Sequence, residues 1–293
     1  MSAPLIRRLC IIGVGLIGGS WARALRGAGQ VGHVVGCGRS RENLERAVAL
    51  GVVDDWTTEP ADAVRGADLV VVAVPLGAMR DVFQQISPAL AADAVVTDVG
   101  SAKGSVIDDA RAALGDRLCD FVPGHPIAGT EKSGVEASFP DLYRGRRVIL
   151  TPLEETREAA VERVRAAWRV TGASISSMSA RHHDEVLAAT SHLPHVLAYG
   201  LVDSLSRWSD RDEIFQYAAG GFRDFTRIAS SEPAMWRDIC LANHEALTDV
   251  LERYTADLQA LTEAVRERDG EQLRAVFHNA QQARERFLAL LEG

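Results

Sequence analysis

A lone histidine stands at the head of a segment that is poorly suited to regular structure. Residues 124–134 read GHPIAGTEKSG, and their glycines and proline interrupt helix and strand alike. Imidazole titrates near pH 6.5, so His125 is able to accept a proton at neutral pH. The run CDFVPG before it predicts a strand, and His125 is therefore expected on a loop at the carboxyl edge of a sheet.

A hydroxyl follows another predicted strand. VVTDVGSAKG (95–104) ends its strand at Asp98, and Ser101 and Lys103 come next, near a helix start. In open α/β sheets, ligands bind beyond the carboxyl ends of the strands. Ser101 therefore either faces a ligand on the same rim as His125 or caps the following helix.

Three glycines have the G-x-G-x-x-G spacing of a phosphate-binding turn. They lie in IIGVGLIGGS, between a predicted strand over Leu9–Ile12 and a predicted helix over Leu16–Ala28, which is the context that such a turn requires. The free N–H groups of the helix would bind the pyrophosphate of a dinucleotide. A second strand, VVVAVP, ends nearby. The residues predicted to line this site are Gly13, Gly15, Leu16, Ile17, Gly18, Val74 and Pro75.

The cofactor preference depends on the end of the second strand. An acidic residue there would bind a ribose 2′-hydroxyl, but VVGCGRSRENL continues with Arg39, Ser40 and Arg41. Two guanidinium groups and a hydroxyl suit a 2′-phosphate, so NADP is favoured over NAD. If these arginines only begin a solvated helix, either cofactor binds.

Two further stretches carry candidate ligand-binding groups. TSHLPHVLA places His192 and His195 one helical turn apart, and Pro194 should kink that helix. The pair would contact substrate or cofactor, form structural hydrogen bonds, or bind a metal with help from RHHDE (181–185). GGFRDFTRIASSEPAMWRDI (220–239) contains Arg227, which is suited to a carboxylate, although a solvated charged turn is the alternative.

Two regions with different sequence patterns must position these groups. Residues 1–178 alternate apolar runs with helical patterns, which predicts a doubly wound α/β domain with a parallel sheet covered on both faces. Residues 179–293 have helical spacing throughout, with a break at Gly270. Long amphipathic helices of this kind predict a homodimer through the helical domain, and a self-contained bundle is the alternative.

Composition narrows the class of protein. The 293 residues carry a net charge of −8, which argues against nucleic acid as a partner, and the basic residues are dispersed. The four cysteines form no C-x-x-C pair, and no apolar stretch reaches the length of a membrane span. The apolar run after the first arginines is short and broken by glycine, so it reads as a strand and not a signal peptide. A cytoplasmic protein is expected.

Taken together, the motifs GLIGGS, AVP, DVGSAK, HPIAGTEKSGVEA, SHLPH and GGFRDFTRIA…MWRDI resemble the prephenate/arogenate dehydrogenase family of tyrosine biosynthesis. They occur in order from about residue 9 to residue 240. The resemblance implies an oxidoreductase that transfers a hydride from a cyclohexadienyl substrate to NAD(P) while the ring loses carbon dioxide. It does not choose between prephenate and arogenate.

The same resemblance implies roles for individual residues. His125 would be the base for the 4-hydroxyl of the substrate, and Ser101 its partner. Arg227 would bind a substrate carboxylate. His192 and His195 would line the pocket, and Glu131 would lie at its entrance, with no metal required.

Two other functions share the predicted architecture. A β-hydroxyacid dehydrogenase or imine reductase has the same two-domain plan, but hydroxyacid enzymes of this type rely on a lysine in the helical part, and residues 179–293 contain none. A non-catalytic dinucleotide sensor would keep the three glycines without needing Ser101, His125 and Arg227 together.

Overall fold

Short apolar runs form the central sheet of this computed structural model, which describes residues 3–130, 132–209 and 211–292. The strands are β1 (Ile6–Ile12), β2 (Val31–Cys37), β3 (Asp55–Thr57), β4 (Leu69–Val72), β5 (Val95–Asp98) and β6 (Phe121–Val122). All six are parallel, in the order β3-β2-β1-β4-β5-β6. Every residue of β4 and β5 is buried, because both faces of the sheet are covered. The doubly wound α/β fold is confirmed.

Helices cover the two faces in two groups of three. One group is α1 (Leu16–Gly27), α2 (Arg41–Ala49) and α6 (Glu158–Val170), and the other is α3 (Pro60–Ala63), α4 (Met79–Ile86) and α5 (Gly104–Leu114). Alternate residues of β1 enter two separate apolar cores, one with each group. In the first core Trp21 and Trp168 stack face to face, with ring centroids 3.8 Å apart and planes at 6°. Short 3₁₀ turns occur at Leu76–Ala78, Ser87–Ala89, Gly115–Asp120 and Val135–Ala137.

A second, three-stranded sheet holds His125. It consists of β7 (Gly124–Pro126), β8 (Arg147–Leu150) and β9 (Ser174–Ser177), with β7 antiparallel to β8 and β8 parallel to β9. His125 lies opposite Ile149, so the expectation that this histidine stands on a loop is corrected. Although glycine and proline flank it, the short strand forms because its neighbours Pro123 and Ile127 also pair with the β8 region. The irregular loop begins only after β7.

All described elements after residue 178 are helical, as the spacing predicts. They are α7 (Ala180–Leu187), a π-helical turn (Ala188–His192), α8 (Leu193–Ser206), α9 (Arg211–Gln216), α10 (Gly220–Thr226), a 3₁₀ turn (Arg227–Ser230), α11 (Pro233–Ala242), α12 (His244–Glu267) and α13 (Gly270–Glu292). The π turn lies directly before Pro194, where we expected a kink. A π turn widens the backbone, and such turns are frequent at functional sites.

The chain separates into two compact units, which meet in sequence between His244 and Glu245. The smaller unit contains α13 and all but the first residue of α12. In the turn between α12 and α13, Arg268 has a left-handed backbone conformation (φ 59°). The Asp269 carboxylate accepts the N–H of Gln272 at 2.9 Å. The predicted break at Gly270 is therefore the start of a capped helix. None of the described helices is both long and apolar enough to cross a membrane.

Candidate active site

The glycine turn after β1 has the shape that a pyrophosphate needs. Gly13 has φ +98°, and a Cβ there would lie 2.2 Å from the carbonyl oxygen of Ala73. A Cβ on Gly18 would lie 2.6 Å from the carbonyl oxygen of Gly13. A Cβ on Gly15 would meet no atom within 4 Å, so the turn is open on that side. Two glycines are thus required for packing, and the third borders free space.

The start of α1 lies at that open side. Gly15 is its N-cap, and no side chain caps the helix, so its first N–H groups are available to an anion. Leu16 and Ile17 begin the helix, while Val74 and Pro75 follow β4 next to Gly13. The structure therefore brings the predicted dinucleotide residues together, and the turn fits a dinucleotide pyrophosphate.

The residues after β2 are exposed, but they are not equivalent. The Ser40 hydroxyl accepts the N–H of Asn43 at 3.2 Å and caps α2. The Arg41 guanidinium lies 5.9 Å from the centre of the Trp56 ring, a cation–π distance. Arg39 makes no hydrogen bond or ion pair with the residues that the structure describes. Glu59, which the sequence analysis did not single out, lies close enough to Cys37 to help raise the pKa of that thiol.

A buried ion pair fixes the backbone next to His125. Asp98 at the end of β5 and Lys103 before α5 are both fully buried and form a salt bridge. The Asp98 carboxylate accepts the N–H of Gly124 at 3.1 Å and that of Gly100 at 2.7 Å. The Lys103 ammonium donates to the Gly124 carbonyl oxygen at 2.8 Å. The pair therefore holds both polar groups of the residue that precedes His125.

His125 is buried among cationic and neutral partners. Its Nδ1 lies 2.8 Å from Nε2 of His183, on α7. Burial lowers the pKa of His125 well below its ordinary value, and His183, Lys103 and His192 lower it further. The ring is therefore neutral at physiological pH, the state in which it is able to accept a proton.

Ser101 lies in the loop between β5 and α5, and it is half-buried. The helix it was predicted to cap begins at Gly104, with Lys103 as N-cap and no cap from its own loop. Asp184 of α7 supplies the cap, since its carboxylate accepts the N–H groups of Lys103 and Gly104, each at 2.8 Å. Ser101 is thus not the N-cap, and its hydroxyl makes no hydrogen bond with the described residues.

His192 presents an unused N–H. The Asn243 side-chain amide donates to the backbone carbonyl of Asp184 at 2.9 Å and lies 3.1 Å from His192 Nδ1. The carbonyl contact fixes the amide orientation, so Nδ1 accepts and Nε2 carries the hydrogen. Nε2 is buried without a partner. Burial lowers the pKa of His192 to about 4, so the ring is a neutral donor.

His195 is in the opposite tautomer, with its hydrogen on Nδ1. Its Nδ1 donates to the Ser191 carbonyl oxygen at 2.9 Å, which leaves the lone pair on Nε2. The ring stacks on Trp236, with centroids 3.6 Å apart. Burial lowers the pKa of His195, and the nearby Arg227 guanidinium lowers it further. Arg227 is exposed and has no carboxylate partner among the described residues, unlike Arg223 and Arg237, which each pair with a neighbouring aspartate.

The loop after His125 is attached to the dinucleotide-binding helix. The Asn43 amide donates to the Val14 carbonyl at 2.7 Å and accepts the N–H of Val135 at 3.2 Å. The Tyr143 hydroxyl donates to the Ile17 carbonyl at 2.6 Å. Glu131, predicted at the pocket entrance, lies outside the described residues. Within those residues, no group of three or more His, Cys, Asp or Glu side chains has the geometry of a metal site.

The roles that several residues play in this site were not predicted from the sequence. These residues are Asp98, His183, Asp184 and Asn243. His183 and Asp184 of RHHDE were considered only as possible metal ligands, and no sequence pattern around Asn243 predicted a role for it. The pair Asp98 and Lys103 did carry one, since a lysine five residues after an aspartate at a predicted strand end suggests a buried partner.

Comparisons with known proteins agree over nearly the whole chain. The family model described as prephenate dehydrogenase, nucleotide-binding domain matches residues 21–177, and the one described as prephenate dehydrogenase, dimerization domain matches residues 179–279. A cyclohexadienyl dehydrogenase of Zymomonas mobilis is 43% identical over 282 residues, covering 96% of each chain.

Solved structures give the same picture. The prephenate dehydrogenase of Aquifex aeolicus, in complex with hydroxyphenyl propionate and NAD+, superposes with a TM-score of 0.88 at 40% identity, covering 95% of this chain and 98% of the other. The arogenate dehydrogenase of Synechocystis has a TM-score of 0.81 at 25% identity, covering 96% and 99%.

Replacing Lys103 with methionine should destabilise the protein by about 3–5 kcal/mol, because the buried Asp98 carboxylate loses its cationic partner. The double variant Asp98→Asn/Lys103→Met should be less destabilised than Lys103→Met alone, since no charge is then left buried. Urea unfolding followed by circular dichroism at fixed protein concentration measures both. Lys132→Met, at the exposed second lysine of the sequence, is the control. Equal stability of the Lys103 and Lys132 variants would contradict the role of the ion pair.

Proposed function

The chain belongs to the prephenate dehydrogenase family, and from that premise we propose that it oxidises and decarboxylates prephenate or arogenate with NAD(P)+. The products are 4-hydroxyphenylpyruvate or tyrosine, carbon dioxide and the reduced dinucleotide, as in tyrosine biosynthesis. One observation supports this assignment above all. The imidazole of His125 is buried and neutral, and the Asp98–Lys103 ion pair holds the backbone of Gly124 directly before it. The same chain has a glycine turn that fits a dinucleotide.

The proposed reaction balances with His125 as the proton carrier. The dinucleotide supplies the hydride acceptor when bound. His125 Nε2 accepts the proton of the 4-hydroxyl as carbon 4 loses its hydride, and a carbonyl forms. The bond to the ring carboxylate then breaks, and its electron pair moves into the ring and onto that carbonyl oxygen. Nε2 returns the proton to the oxygen, so two electrons leave the substrate and no proton is released overall.

The remaining site residues would orient the substrate. The free Ser101 hydroxyl would share the 4-hydroxyl with His125. The Nε2–H of His192 would donate to the substrate, and the Nε2 lone pair of His195 would accept from it. Arg227, which has no carboxylate partner among the described residues, would bind a substrate carboxylate. Glu131 at the pocket entrance stays a proposal from the sequence.

For the cofactor, we favour NADP over NAD. The support is local: two exposed guanidinium groups follow β2, and Arg39 makes no ion pair within the described chain. Arg41 lies over the Trp56 ring, so its guanidinium stays close to the end of β2. Glu59 near Cys37 is an opposing charge.

We also propose that the chain forms a homodimer through residues 179–293, with residues 1–178 as the dinucleotide-binding domain. The matching dimerization-domain description supports this division. In the smaller unit, α12 exposes Tyr254, Leu258 and Val265, spaced by four and seven residues along one helix face. A cytoplasmic location is proposed as well, and the four free cysteines are consistent with it.

His125→Asn should reduce kcat by at least 10²-fold, because the general base is lost. Dissociation constants for NAD and NADP, measured by calorimetry, should stay nearly unchanged. In the unaltered enzyme, kcat/KM should fall only at a pH well below the ordinary imidazole value, since the base must be neutral and its pKa is lowered. Near-normal turnover of the variant, or an acid limb at or above pH 6.5, would count against His125 as the base.

Arg227→Ala should raise the KM for the substrate by about ten- to a hundred-fold, the effect of losing a charge-assisted hydrogen bond. The KM for the dinucleotide should not change. Arg223→Ala, at the nearby exposed arginine that pairs with Asp224, serves as the matched control. If both variants give the same KM as the unaltered enzyme, Arg227 does not bind the substrate carboxylate.

The cofactor proposal is tested by a two-by-two steady-state assay of prephenate or arogenate with NAD or NADP. Arg39→Ala and Arg41→Ala should each raise the KM for NADP about ten-fold and leave that for NAD almost unaltered. Arg65 precedes β4 and lies at the amino-terminal end of that strand, away from the carboxyl ends where the dinucleotide would bind. Arg65→Ala should therefore change neither of these two KM values. Equal use of both cofactors by the unaltered enzyme and the variants would refute the preference.

A further inference from the structure

Three buried side chains form a continuous line of hydrogen bonds behind His125. The Asp184 carboxylate lies 2.7 Å from Nδ1 of His183, and Nε2 of His183 lies 2.8 Å from Nδ1 of His125. His183 is fully buried, and the other two are at most 9% exposed. His125 comes from β7, whereas its two partners are consecutive residues of α7. The line therefore joins the two regions of the chain inside the larger compact unit.

The direction of these hydrogen bonds is fixed at the Asp184 end. This carboxylate also accepts the backbone N–H groups of Lys103 and Gly104, which are only able to donate. Both belong to the start of α5, whose dipole favours a negative charge. Although burial raises the pKa of Asp184, the hydrogen bonds from His183, Lys103 and Gly104 lower it overall. Asp184 is therefore an ionised acceptor.

An acceptor at one end determines the tautomer of each ring. Nδ1 of His183 must donate to Asp184, which leaves the lone pair of a neutral His183 on Nε2. Nδ1 of His125 must then donate to that lone pair, and the lone pair of His125 lies on Nε2. A neutral His183 is part of the proposal, because a His183 that donated from both ring nitrogens would reverse the second bond and place the hydrogen of His125 on Nε2.

We propose that His183 is a positioning residue, which Asp184 orients and which holds His125 in the tautomer with its lone pair on Nε2. The inference rests on the proposed role of His125 as the base. In the opposite tautomer, Nε2 of His125 would carry a hydrogen and would be unable to accept the 4-hydroxyl proton. His183 thus selects the reactive tautomer of His125 without itself contacting the substrate.

The same line stabilises the protonated intermediate state. When Nε2 takes up the hydroxyl proton, His125 becomes a cation among groups that oppose a positive charge. From the other elements packed around it, these groups are the Lys103 ammonium and the rings of His183 and His192. Asp184 is the anion in line with its Nδ1–H, and it is reached through the His183 ring. The positive charge is therefore dispersed towards the Asp184 carboxylate, through the His183 ring that contacts His125.

The direct test is nitrogen NMR of the histidine rings in ¹⁵N-histidine-labelled full-length enzyme, with His125 and His183 assigned from the variants below. Both rings should show a protonated Nδ1 and a non-protonated Nε2 at neutral pH. A protonated Nε2 on His125 would overturn the proposal. This readout needs no substrate, so it decides the tautomer even if the enzyme turned over neither prephenate nor arogenate.

Variants test the consequence for catalysis. His183→Leu removes the acceptor and should lower kcat about 10- to 100-fold with little change in substrate KM or dinucleotide affinity. His183→Gln keeps a carbonyl oxygen that is able to accept from His125 Nδ1, and it should restore at least part of kcat. His182→Leu, at the exposed neighbouring histidine of α7, is the matched control.

The pattern of the variants separates positioning from mere structural support. Unchanged kcat in His183→Leu would overturn the proposal, as would equal loss in the leucine and glutamine variants with the His125 tautomer intact. If His183→Leu does not fold, the comparison of His183→Gln with the unaltered enzyme, together with the NMR signals of the latter, still decides the question.

Discussion

The Asp98–Lys103 ion pair is the interaction on which the geometry of the site depends. Two charges are removed from water at the point where β5 gives way to α5, and the unfavourable desolvation is offset only because each charge has several partners. Those partners include both polar groups of Gly124. The ion pair therefore transfers its rigidity to the next residue, His125, and sets where that ring lies relative to the end of the parallel sheet.

Around this fixed point, the protein places several buried imidazoles near one another. His125, His183 and His192 are all buried, and burial lowers the pKa of His125 and of His192, so that these two rings are neutral. Neutral rings are useful only when their tautomers are defined. The structure defines them with neighbouring acceptors and donors: Asp184 for His183, Asn243 for His192 and the Ser191 carbonyl for His195. Burial makes the rings reactive, and their neighbours give each ring a single role.

The parallel sheet, its helices and the glycine turn follow from local pattern, and the sequence predicts them well. The apolar run of β4 predicts a strand correctly because both faces of the sheet are covered. The role of Gly13 is predicted correctly because its positive φ disfavours any other residue. The expected loop at His125 is a strand, because its pairing with Ile149 of β8 is a tertiary contact that the local sequence does not reveal. The cap of α5 comes from Asp184, 80 residues away from Gly104, so local spacing pointed to Ser101 instead.

The stacked indoles of Trp21 and Trp168 give the larger unit a distinct optical signature. Two parallel rings 3.8 Å apart couple their strong electronic transitions, and such coupling gives a couplet in far-ultraviolet circular dichroism. All five tryptophans of the sequence precede residue 245, so the smaller unit contributes no indole to that couplet. Loss of the couplet therefore reports separation of α1 from α6, independently of any event in the smaller unit.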